Sequence, residues 1–69
     1  MHVLVNLKEV KDHDKIWMDI QGKTGVHAVH WSEHSPYFGD VVYNGNPDVL
    51  VKELREQPYV RNVSVETDF

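Results

Sequence analysis

Residues 26–35 read Val-His-Ala-Val-His-Trp-Ser-Glu-His-Ser, and the fold turns on whether they form a helix or a strand. Three of the chain's five histidines fall here, His27, His30 and His34, spaced three and four apart. On a helix that spacing stacks three imidazoles on one face, as a zinc or nickel site would need. On a strand it scatters them. The local chemistry favours the strand. Val26, Val29 and Trp31 are strand formers, Gly25 precedes them, and Pro36 follows too closely for a long helix. Read this way, Val29 and Trp31 share a face with His27, while Ala28 and His30 point the other way. His34 then lies in a loop, and the three histidines do not converge on one ion.

Upstream, Val3, Val5 and Leu7 alternate with His2, Asn6 and Lys8, the period of a half-buried strand over residues 3–7. Leu4 is the apolar exception on the other face. Asp12 and Asp14 are placed to cap a short helix over residues 15–21, where Ile16 and Ile20 stand four apart and Gly22 or Gly25 stops it. Downstream, Tyr-Phe-Gly-Asp-Val-Val-Tyr at residues 37–43 predicts a third strand, with a bulge or bend at Gly39. Asn46-Pro47-Asp48 is a helix start. It offers a capping side chain, a proline suited to the first turn and an acidic group at the positive end of the dipole. That helix carries Leu50 and Leu54 and runs to residue 57, where Pro58 ends it. Residues 59–66 predict a last strand with Val63 and Val65 inward.

The order β-α-β-β-α-β with right-handed crossovers predicts an α+β, ferredoxin-like fold. That is a four-stranded antiparallel sheet with both helices on one face, the first and third strands central and the second and fourth at the edges. One domain is expected over residues 1–69. A chain this short buries only about 60% of the surface its unfolded form exposes, so the core is small.

Composition excludes several functions. There is no cysteine, hence no disulfide, thiolate metal site or thiol nucleophile, and a cytoplasmic setting is expected. The N-terminal apolar run has no basic lead or cleavage site, and no run approaches the roughly 20 residues of a membrane span. Neither a secretion signal nor a membrane partner is expected. Net charge is −4 without a Lys or Arg cluster, which argues against nucleic acid. Ser32, Ser35 and Ser64 have no base beside them, and there is no phosphate-cradling glycine loop, so neither an enzyme nor a cofactor is expected. His13, between Asp12 and Asp14, reads as a helix-start residue in a solvated loop rather than a general acid or base. The aromatics Trp17, Trp31, Tyr37, Phe38, Tyr43 and Tyr59 are expected mostly in the core.

Two segments resemble heavy-metal-associated (HMA) domains. Thr24-Gly25-Val26-His27-Ala28-Val29 is similar to that family's Gly-Val-x-x-Val approach to the second strand. Residues 40–55, DVVYNGNPDVLVKELR, resemble the third strand, glycine turn, proline-started helix and Leu-Arg ending of plant metallochaperone-like members. The family's Met-x-Cys-x-x-Cys metal loop corresponds here to residues 8–14, which lack cysteine, so no metal ligand carries over. Relatives that lost those cysteines bind proteins, and the resemblance implies that role. A second resemblance, to the ligand-binding domains of Lrp/AsnC (RAM) regulators and to ACT-like domains, rests on Phe38-Gly39-Asp40-Val41.

The expected function is therefore a non-enzymatic, HMA-like protein-interaction module with a degenerate metal site. A protein partner would dock along the exposed second strand and its following loop, at Val26, Ala28, His30, His34 and Ser35, spreading onto Leu4 and Val42 of the open sheet face. Two alternatives stand beside it. One is a histidine-based metal carrier or sensor, for which His30 and His34 are the candidate ligands. The other is an ACT- or RAM-like small-molecule-binding domain that forms a homodimer.

Overall fold

The N-terminal alternation builds the middle of the sheet. In the computed structural model, which describes residues 1–66, β1 (His2–Leu7) buries every second side chain: Val3, Val5 and Leu7. The remaining elements are α1 (His13–Gln21), β2 (Val26–Ser32), β3 (Ser35–Tyr43), α2 (Pro47–Arg55) and β4 (Val60–Glu66). Residues 67–69 of the expected domain lie outside the described residues. The sheet order is β2-β3-β1-β4 with antiparallel neighbours, so β1 and β3 are central and β2 and β4 are edges. This is the ferredoxin-like α+β arrangement.

Both helices lie on one face. Trp17 and Ile20 of α1 and Leu50 and Leu54 of α2 cluster with Val3, Val5, Leu7, Val41, Val60 and Val63 from the sheet. Neither of the two described helices covers the opposite face. Cross-strand partners share a face. The register Leu4↔Asp40, His30↔Asp40, Ala28↔Val42 and His2↔Val42 therefore puts these side chains together on the open side.

Helix boundaries follow the capping chemistry. In α2, Asn46 accepts a hydrogen bond from the Asp48 backbone N–H at 3.0 Å, with Pro47 opening the helix and Lys52 and Arg55 near its negative end. The helix stops at Arg55, two residues short of the expected end, within the usual fraying of a last turn. In α1, Asp12 sits at the N-cap position but its side chain makes no capping bond, and the helix begins at His13 rather than residue 15. The end of α1 at Gly22 is right-handed; the left-handed glycine is Gly25, with φ 87°. A side chain there would press its Cβ to 2.7 Å from the Asn44 carbonyl oxygen, so the approach to β2 is open only to glycine.

Three expectations need correction. Gly39 is not itself the bulge: it pairs with both Val5 and Trp31. The irregularity falls at residues 36–38, between the pairs Trp31↔Gly39 and Ser32↔Ser35. Its cause is the two-residue turn Glu33-His34. Among the described residues only glycines have positive φ, so this turn lacks the twist that matches hairpin strands, and the register slips beside it. Second, a bulge between Val26 and Ala28 shifts the parity of β2. Val26, Val29 and Trp31 pack toward the core, and His27 is exposed instead of sharing their face. Third, Phe38 is not a core aromatic. It lies on the open face, 43% exposed.

Candidate functional site

The two open edges differ in chemistry. β4 reads Val-Arg-Asn-Val-Ser-Val-Glu and so carries Arg61 and Glu66, with a register shift opposite Asn6 and Leu7. Charges and bulges are the ordinary means by which proteins blunt an edge. β2 reads Val-His-Ala-Val-His-Trp-Ser and contains no Lys, Arg, Asp or Glu. Its bulge at 26–28 and the slip after Trp31 leave residues 28–31 as the run in regular register with β3. This four-residue segment is the regular part of the edge.

The expected site residues separate into three groups. Ala28, Leu4 and Val42 meet on the open face with His30, which stands opposite Asp40. Val26 turns to the core side and packs against it. His34 and Ser35 are exposed at the hairpin turn, where the His34 N–H donates to Ser32 Oγ at 3.0 Å. A cleft of about 290 Å³ lies between the edge and the open face, lined by His30, Trp31, Ser32, Ser35 and Phe38. Its size suits one or two side chains of a partner, not a drug-sized ligand. Phe38 was the residue missing from the sequence-based set. The parity that turns Tyr43 inward also turns Phe38 outward, so the signal was present in the strand.

A polar pair pins this face. The Asp40 carboxylate accepts from His2 Nδ1, at 2.9 Å and 3.0 Å to its two oxygens. His2 in turn stands opposite Glu66 of β4. The pair joins strands whose residues are 38 apart in sequence, and only the register brings them together.

His13 also departs from expectation. It is not in a solvated loop: its ring stands edge-on to Trp31 at 5.3 Å and to Tyr37 at 5.8 Å. Its Nδ1 is buried without a hydrogen-bond partner, and its Nε2 is 3.9 Å from Glu33 Oε2. That distance exceeds a hydrogen bond, so the pair has no proton-transfer geometry. The imidazole acts here as an aromatic wedge between α1 and the β2–β3 hairpin.

Among the described residues no three His, Asp or Glu side chains are placed to hold a metal ion. A second cleft, of about 480 Å³, lies on the helix side, lined by Lys23, Thr24, Tyr43, Val49, Leu50 and Glu53 with Gly22. The Lys23 ammonium and Glu53 carboxylate pair with each other across it, so neither is spare for a ligand. No helix among the described residues is long and apolar enough to cross a membrane. No family model, curated protein or solved structure matches the chain.

Proposed function

We propose that the chain is a non-enzymatic protein-interaction module of HMA-like type. It binds an extended segment of a protein partner by adding a strand to β2. The observation that carries this reading is the contrast between the edges: β2 has no permanently charged residue, whereas β4 has Arg61 and Glu66. Backbone pairing along residues 28–31 supplies affinity, and the cleft beside Phe38 and Trp31 receives a side chain of the partner. Leu4 and Val42 extend the contact onto the open face. The lack of cysteine is in keeping with a cytoplasmic setting.

The test is a titration of isotope-labelled protein with a strand-forming probe, an end-capped octapeptide of alternating Val and Thr, followed by amide NMR. Shifts concentrated on β2 and the open face are expected. His30→Lys, which places a permanent charge on an exposed position, should abolish them while leaving the spectrum of a folded domain. A footprint on α1 and α2 would sink the reading.

A further inference from the structure

The hairpin that carries this edge has a peculiar charge inventory. All seven Lys and Arg residues lie outside residues 24–51. Within the hairpin, the groups that can become positive are imidazoles: exposed His27 and His30 on β2 and exposed His34 in the turn. Its negative groups are Glu33 and Asp40.

We infer that the β2 edge is gated by protons, which rests on the strand-addition reading above. With neutral imidazoles it is open to an extended apolar segment poor in acidic residues. With charged imidazoles it is closed. Proteins guard open edges with charged side chains, lysine above all. A histidine is such a guard only when protonated, and imidazole ordinarily takes its proton near pH 6.5. A strand laid beside residues 28–31 strips water from His30, so a charge there loses hydration.

Two carboxylates flank these imidazoles, and each already has another histidine beside it. Asp40, opposite His30 on β3, already accepts from His2, which faces Glu66 of β4. Glu33, next to His34, stands 3.9 Å from His13 of α1. α1, packed against β2, otherwise offers Asp14, Lys15 and Asp19, all exposed, and β3 offers Tyr37 and Tyr43. Protonating all three hairpin imidazoles takes the hairpin from two negative charges to one positive. The occupant is poor in acidic residues and apolar where it enters the cleft. The chain's net charge of −4 repels an acidic segment at neutral pH. The cleft that would take its side chain is walled by Trp31 and Phe38.

The same Val/Thr octapeptide decides the matter when titrated at about pH 8 and about pH 5.5, on either side of ordinary imidazole titration. The native chain is compared with a variant carrying His27→Gln, His30→Gln and His34→Gln; amide spectra at both pH values verify that each is folded. Native affinity should fall by about fivefold or more at the lower pH, the sum of modest strand-surface charge effects. The variant should bind equally at both. An unchanged or tighter native affinity at pH 5.5 overturns the gate, as does a variant that keeps the drop. Binding on β2 without pH response defeats the gate alone. No shifts on β2 at either pH defeats the edge reading, and the gate with it.

Discussion

The indole of Trp17 occupies the space that a side chain at position 39 would need. A Cβ added to Gly39 would come within 2.7 Å of the ring, and the same indole donates its N–H to the Pro36 carbonyl at 2.8 Å. One side chain thus fills the seat over the central strand and ties down the irregular stretch beside it.

Gly39→Ala should therefore destabilise by ~1–3 kcal/mol, because the ring is fully buried and cannot step aside. Gly22→Ala is the control. There a Cβ would meet nothing closer than 3.6 Å and the backbone is right-handed, so a change near zero or a gain of ~0.4–1 kcal/mol is expected. Urea unfolding midpoints at unchanged slope would distinguish the two.

Asn46→Ala should cost ~0.5–2 kcal/mol through loss of the bond to the Asp48 N–H. Asp12→Ala should cost less, since its side chain makes no capping bond. Equal losses in thermal unfolding would contradict this assignment of the caps.

Leu54→Ala removes a side chain with no exposure and should cost ~2–5 kcal/mol. A core of this size supplies roughly 3–5 kcal/mol in all, so the variant should be largely unfolded by circular dichroism at room temperature. Val49→Ala on the same helix, at a position 58% exposed, should stay within about 0.5 kcal/mol of the native chain.

One equivalent of zinc should leave the melting temperature unchanged, because among the described residues no three ligands converge. A one-to-one complex abolished by His30→Ala would refute this.

What was readable in the sequence was local. The alternation of Val3, Val5 and Leu7 predicts β1, and Asn46-Pro47-Asp48 predicts the start of α2, because each signal acts within a few residues. Gly39 carries two meanings in sequence, bulge or contact, and only the arrival of Trp17 from another element decides between them. The face of His27 was misassigned because one bulged residue inverts every side chain on its far side. His13 looked solvated among Asp12 and Asp14; Trp31 and Tyr37, which enclose it, are 18 and 24 residues away. The edge itself was legible through strand order, whereas its reduction to residues 28–31 depends on where the register slips.

The sheet order also sets the sequence of events by which the chain assembles. β1 is synthesised first, yet its neighbours are β3 and β4, with His2 pairing to Val42 on one side and Glu66 on the other. β2 and β3 meet through a two-residue turn and can pair as soon as both exist. β1 must close far longer loops, at an entropic cost that rises with their length. Pulse-labelled hydrogen exchange should accordingly find β2 and β3 amides protected before those of β1. Until residues 60–66 leave the ribosome, β1 holds an unfilled side directly beside Val3, Val5 and Leu7. The nascent chain therefore carries a temporary edge richer in aliphatic side chains than either edge of the finished protein, and aggregation during synthesis would begin there.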